Sequence, residues 1–199
     1  MDNNIFLRGE KCMLQPLEFD DAGNVVSLIS QWMNDDVVTH FMFTGQKPLE
    51  KEQITAMMKK DMDEGNVVFI ISDIKSRKLL GYGGLYSINP VARKAEFRIL
   101  IGDKNFWGKG YGTEITELIT YYGFDRLNLH RIYLGYTVEN KGAGKAYEKA
   151  GYKHEGVLKE DIYRNSRYYD TVRMAILRKD YYGTFYESHK KRFSILPEL

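Results

Sequence analysis

Cysteine is nearly missing from this chain: Cys12 is the only one in 199 residues. No internal disulfide can form, no multi-cysteine metal site can be built, and the cytosol is the expected compartment. Histidine is scarce as well. The four, at positions 40, 130, 154 and 189, show no pairing at metal-ligand spacing, so no bound metal is expected. Long apolar runs are also missing: the opening Met1-Asp-Asn-Asn4 is polar and Arg8 ends the short apolar run Ile5-Phe-Leu7, so neither a signal peptide nor a membrane partner is expected. Nor is charge of one sign in excess. Basic residues number 29 and acidic ones 27, for a formal charge of +2, and the only basic cluster is the short His189-Lys-Lys-Arg192. Nucleic acid is not expected as a partner.

What is present is an ordinary globular balance, 43% hydrophobic and 28% charged. A chain of this length fits one medium domain, 1–199, with a core from about 5 to 177 and an aromatic C-terminal tail over 178–199. The organising stretch begins with the strand-like Phe97-Arg-Ile-Leu-Ile-Gly102 and continues through Asn105-Phe-Trp-Gly-Lys-Gly-Tyr-Gly-Thr113 into an amphipathic helix. Gly108, Gly110 and Gly112 let the backbone take torsions closed to other residues and approach a ligand without Cβ interference. In the helix, Ile115, Leu118, Ile119 and Tyr122 fall at i, i+3, i+4 and i+7 and predict one buried face, with Glu114 and Glu117 off it. Free N–H groups at the first turn, with the positive end of the macrodipole, form a site for a pyrophosphate. Glycines at this spacing also mark ordinary tight turns. A Walker loop is excluded because Lys109 lies inside the glycines, and a dinucleotide fingerprint because its spacing and acidic partner are missing.

Around this stretch the pattern alternates strands and helices. Residues 5 to 17 read as an opening strand, and Glu18, Asp20 and Asp21 as a helix start; Val25, Leu28, Ile29 and Trp32 mark its apolar face. Residues 34 to 47 read as a loop carrying His40-Phe-Met-Phe43, aromatics that either line a pocket or cap the core. Pro48 suits the first turn of a second helix with Ile54, Met57 and Met58 inward, ending at Gly65. Val67 to Ile71 and Leu79 to Ile88 predict a hairpin, followed by the strand Ala95 to Gly102. Beyond the central helix, Arg131 to Tyr136 is a strand and Asn140 caps a helix whose Ala143, Ala146, Tyr147 and Ala150 share a face before Gly151. Tyr152 to Tyr163 and Arg167 to Leu177 form a second hairpin. Tyr181, Tyr182, Phe185 and Tyr186 then have helical spacing and dock on the core or on a partner subunit, the second of which would make a homodimer.

Two helix starts, each just after a strand, carry a signature: Trp107-Gly-Lys-Gly-Tyr-Gly112, and Val138-Glu-Asn140 with Ala143 and Tyr147-Glu-Lys-Ala-Gly-Tyr152 after it. Together they resemble the GCN5-related N-acetyltransferases (GNAT), whose signature is Arg/Gln-x-x-Gly-x-Gly/Ala. Gly110 and Gly112 match it, and Trp107 departs from it at the first position. The wording is similar to the ribosomal-protein N-terminal and spermidine acetyltransferases. In element order the resemblance covers roughly residues 5 to 177, with its specific motifs between about 95 and 152.

The resemblance implies a mixed α/β (α+β) fold whose central, mostly antiparallel sheet splays where the strands ending near Gly102 and Tyr136 diverge. It implies acetyl transfer from acetyl-CoA to an amine by direct attack. The backbone around Gly108, Lys109, Gly110, Tyr111, Gly112 and Thr113 would hold the pyrophosphate, Ile99, Leu100 and Ile101 would contact the pantetheine and thioester, and Asn140 would bond the pantetheine arm. Tyr147 would be the general acid and Glu96 the general base. Each has a plainer reading: Tyr147 as a buried core tyrosine, Asn140 as a helix cap, Lys109 as a solvated turn residue, Glu96 as an edge charge. A small-molecule amine, polyamine-like, is the favoured acceptor, with Glu18, Asp35, Asp36, Asp61 and Asp63 available to a polycation. A nucleotide-linked amino sugar and a protein N-terminus are the alternatives, and a non-catalytic acetyl-CoA sensor is the reading from another class.

Overall fold

The computed structural model describes residues 4–19 and 24–193; Asp20 and Asp21, expected to form part of a helix start, lie outside them. Among the described residues the chain forms β1 (Leu7–Arg8), β2 (Cys12–Pro16), α1 (Asn24–Met33), α2 (Asp36–Thr39), α3 (Lys51–Asp63), β3 (Val67–Asp73), β4 (Leu79–Asn89), β5 (Lys94–Ile101), α4 (Tyr111–Asp125), β6 (Arg131–Thr137), α5 (Lys141–Lys149), β7 (Lys153–Arg164), β8 (Arg167–Leu177), α6 (Arg178–Thr184) and α7 (Tyr186–Phe193). The strands make one sheet in the order β1-β2-β3-β4-β5-β6-β8-β7, antiparallel throughout except between β5 and β6. This is the expected mixed α/β architecture.

Three local readings are corrected. The opening strand is two strands folded about Gly9 to Lys11, where Gly9 N–H donates to the Cys12 carbonyl at 2.8 Å. The loop of residues 34 to 47 contains α2, started by Asp35, whose carboxylate accepts from the Val37 N–H at 2.8 Å. The second helix starts at Lys51 rather than Pro48, because Glu50 and Gln53 form a reciprocal capping box there.

Both faces of the sheet are covered, as strand alternation requires of such apolar runs. Along β3, Phe69 and Ile71 enter one core with α4, while Val68 and Ile70 enter the other with α1 and α3. Along β5, Ala95 and Phe97 belong to the first core and Leu100 to the second. Residues 178–193 of the aromatic tail pack on α4 of their own chain, Tyr181 stacking on Phe124 at 4.7 Å and Phe193 lying against Tyr121, while residues 194–199 of the expected tail lie outside the described residues.

That covering reaches Glu114 and Glu117, placed by their spacing off the apolar face. Glu114 is 4% exposed and accepts hydrogen bonds from the Lys11 and Cys12 N–H groups, and Glu117 is half-buried beside Arg192. Helical periodicity assumes a single buried face. Here the sheet covers one side of α4, while the β1–β2 turn and α7 close the others.

Candidate active site

The parallel pair β5 and β6 is joined only at Lys94↔Arg131, Ala95↔Ile132 and Glu96↔Tyr133. Beyond that each strand stays with its outer partner: β5 with β4 as far as Gly81↔Ile101, β6 with β8 as far as Thr137↔Thr171. A wedge opens between residues 97–101 and 134–137, and the main chain facing it has no ladder partner across the gap. Main-chain polar groups in such a gap demand partners, and an extended amide-bearing chain supplies them.

The residues predicted on the β5 side are not equivalent. Ile99 and Ile101 lie against the α4 core, whereas Leu100 is buried in the opposite one, so its side chain is withdrawn from that side. The Ile101 carbonyl already accepts from Trp107 Nε1 at 2.8 Å. Trp107 therefore replaces the family's Arg/Gln position with a clamp on the strand end.

After one 3₁₀ turn, Lys104–Phe106, the chain passes Gly108 at φ +70° and Gly110 at φ +85°, and α4 begins with no side-chain cap. Both torsions are left-handed and cheap only for glycine. The space a Gly108 side chain would fill is empty for 4 Å around. First-turn N–H groups of α4 have no intrahelical acceptor, and together with the helix dipole they present an anion site. Of the other predicted cradle residues, Lys109 is exposed, and Gly112 lies 3.8 Å, Cβ position to Cβ, from Ala146, where α4 passes α5. The Tyr111 side chain is engaged elsewhere: its hydroxyl donates to Asp73 at 2.6 Å, and burial with that bond pushes its pKa up to about 12. Tyr111 and Thr113 thus remain cradle candidates through their backbone.

Asn140 caps α5, its side-chain oxygen accepting from the Ala143 N–H at 3.1 Å. Two turns on, Tyr147 is 9% exposed, and its ring meets Phe97 of β5 at 6.0 Å and Tyr136 of β6 at 5.7 Å, both edge-on. It touches both arms of the wedge. Among the described residues its hydroxyl takes no hydrogen bond, and burial, then the neighbouring Tyr136, pushes its pKa above the ordinary tyrosine range. A hydroxyl in that state holds its proton until a stronger base arrives.

Glu96 is the last paired residue of β5 before the wedge, opposite Tyr133. Its carboxylate accepts from Arg98 Nε at 3.0 Å and Nη2 at 2.6 Å, and the Arg98 guanidinium stacks on Tyr86. Strand alternation sends Glu96 and Phe97 to opposite faces. Glu96 therefore opens toward the α1 and α3 side and Tyr147 toward the α4 side, with the wedge between them. On Glu96's side stands Asp61, whose pKa burial raises and Arg98 lowers.

The aromatic loop lies near the open end of β6, where Thr137 Oγ1 donates to the Phe41 carbonyl at 3.3 Å. Met42 packs into the α1–α3 core, as the core-capping reading expects, while Phe43 is half exposed. Arg164, 5% exposed at the tip of β7, fastens it by donating to the carbonyls of Thr39, Thr44 and Gly45. Beside the cradle, an open depression of about 490 Å³ runs from Trp32 and Asp35 to Gly102 and Lys104. Among the described residues no group of three or more metal-ligating side chains occurs, and no helix is long and apolar enough to cross a membrane.

Residues 11–153 match the family model of the acetyltransferase (GNAT) domain. The chain belongs to the GNAT acetyltransferases. Acetyl-CoA is its cosubstrate, and the chain is an enzyme of acyl transfer. It is 31% identical to spermidine N(1)-acetyltransferase of Escherichia coli K12 over 169 residues, 84% of this chain and 87% of that one. Against spermidine N(1)-acetyltransferase of Vibrio cholerae it is 40% identical over 113 residues, 57% of this chain and 64% of that one. A crystal structure of the Vibrio cholerae enzyme in complex with CoA and spermine superposes with a TM-score of 0.76 at 32% identity, covering 86% of this chain and 98% of that one.

Phe97, Tyr136, Arg98 and Arg164 were not singled out from the sequence. Phe97 and Tyr136 had a signal in strand alternation, since each stands on an arm of the wedge. Arg164 had none, because its acceptors lie some 120 residues away.

Proposed function

We propose that this GNAT enzyme acetylates a primary amine of polyamine type, by direct attack on acetyl-CoA in a ternary complex. The observation that carries the reading is Tyr147, wedged between Phe97 and Tyr136 with a protonated hydroxyl that has no hydrogen-bond partner among the described residues. The backbone of residues 108–113 holds the pyrophosphate, and the open edges of β5 and β6, with Asn140, hold the pantetheine. The amine attacks the thioester carbon, the C–S bond breaks, and the leaving thiolate takes the Tyr147 proton. Glu96, held by Arg98, draws the amine proton away, directly or through water. A ping-pong route through a cysteine is disfavoured, since Cys12 is buried behind α4 and desolvation and Glu114 raise its thiol pKa.

The polyamine preference rests on the carboxylates Glu96 and Asp61 on the acceptor side, and on the likeness to enzymes named for spermidine. Residues from about 5 to 177 form the acetyltransferase unit, the tail bracing α4, in a cytoplasmic setting without nucleic-acid or membrane partners; the same tail is where a homodimer would form. Competition of spermidine, a nucleotide-linked amino sugar and a peptide N-terminus in one CoA-release assay tests the acceptor. Spermidine is expected to win by at least tenfold in kcat/KM; preference for either rival overturns the polyamine reading and leaves the acetyltransferase standing.

A further inference from the structure

The β1–β2 turn is pressed against the start of α4. A Cβ at Gly9 would stand 2.3 Å from Glu114 Oε1, so only glycine lets the turn come this close. The same buried carboxylate oxygen accepts from Lys11 N–H at 2.7 Å, Cys12 N–H at 3.1 Å and Cys12 Sγ at 3.5 Å. Glu114 thereby fixes the backbone at Lys11. From that anchor the Lys11 side chain reaches over the glycine turn: Nζ donates to the Lys109 carbonyl at 2.8 Å and stands 2.8 Å from where a Gly110 Cβ would be.

An ammonium carries three N–H donors and the Lys109 carbonyl takes one. The remaining two lie beside the anion cradle. Electrostatics calls for such a charge, because Glu114 places a carboxylate in the first turn of α4, where it works against the helix dipole for any bound anion. Lys109 is another nearby cation and is exposed like Lys11, but among the described residues no partner holds its ammonium. Lys11 is held at both ends, so little of its freedom is left to lose on binding.

We infer that Lys11 is a phosphate-binding residue of the cradle, contributed by the N-terminal hairpin, and that Glu114 is its positioning residue. The ligand chemistry is the pyrophosphate of the acyl donor, so the inference rests on the cradle reading of residues 108–113. It extends that reading to a side chain outside the glycine motif. Gly9, Glu114 and Gly110 then share one explanation: each is the residue type that lets the turn, its anchor and the ammonium meet.

The test compares acetyl-CoA with acetyl-pantetheine, which carries the same thioester without phosphates. Lys11→Met is expected to raise KM for acetyl-CoA about tenfold or more relative to KM for acetyl-pantetheine, the scale of a lost charge-assisted hydrogen bond. It should also flatten the salt dependence of the acetyl-CoA KM, and Lys11→Arg should restore most of both. If both donors weaken together in Lys11→Met, the residue only braces the turn and the inference falls. It falls equally if neither KM moves. A wild-type enzyme with the same KM for both donors sinks the cradle itself, an outcome distinct from loss of Lys11 alone.

Discussion

Tyr147 shows how much a residue's chemistry depends on what surrounds it. On its helix it is one more apolar-face aromatic, sharing that face with Ala143, Ala146 and Ala150. Burial disfavours the phenolate, so the proton stays on the oxygen, and the rings of Phe97 and Tyr136 hold the Tyr147 ring from the two diverging strands. Tyr147→Phe keeps those ring contacts and removes only the hydroxyl. We expect kcat to fall by about 10²-fold or more, with acetyl-CoA affinity unchanged in a direct titration. A variant turning over as fast as wild type would remove Tyr147 from the proton path. Glu114 gives the opposite lesson: its place in the helical repeat was off the apolar face, and its true surroundings were a strand turn 103 residues earlier in the chain.

At the scale of elements, the proposed acceptor side is assembled from parts that do not stand alone. Helix α2 is four residues long, and the loop after it has few backbone bonds of its own. A segment so short gains little from helix formation. It is held because Arg164, from the tip of the β7–β8 hairpin, supplies donors to its carbonyls, and Gln46 returns a bond to the Tyr163 carbonyl at 2.7 Å. Arg164→Met should leave several of those carbonyls without donors and cost about 3 kcal/mol of stability. Its effect on turnover should appear in the amine KM and not in that of acetyl-CoA, because the cradle lies on other elements. Thermal melts with steady-state kinetics in both substrates check this; an equal rise in both KM values would mean that the loop serves the whole fold.

For the molecule as a whole, the C-terminal tail completes the core over α4. His189 is 2% exposed; its Nδ1 lies 3.1 Å from the Tyr181 hydroxyl and its Nε2 4.0 Å from Glu117, with Arg192 bridging Glu117 and Glu10. Burial first, then the Arg192 charge, lower the His189 pKa to about 4, whereas the unfolded chain titrates near 6.5. Between those values the unfolded state binds more protons, so stability rises with pH. The contribution is complete above about 6.5 and is lost as pH falls through about 4. Glu117, raised by burial ahead of the lowering by Arg192, acts in the opposite sense, so the informative quantity is a difference. Between pH 7 and pH 5 the melting temperature of wild type should fall more than that of His189→Gln. Parallel curves would show that the histidine is not the titrating group.

The local geometry of the proposed donor half was legible in the order of residues alone. Left-handed torsions at Gly108 and Gly110, the free first turn of α4, the Asn140 cap and the i, i+3 spacing behind Tyr147 are all settled within a few residues of backbone, where sequence acts directly. The order of strands and helices came from the same local signals, apart from the split opening strand and the small helix α2. Tertiary structure decided the rest: how far β5 and β6 stay paired, what buries Glu114, which hairpin clamps the aromatic loop, and where the tail docks. Each of those depends on which distant surfaces compete for the same apolar face or the same carbonyl. No local periodicity encodes the outcome of that competition.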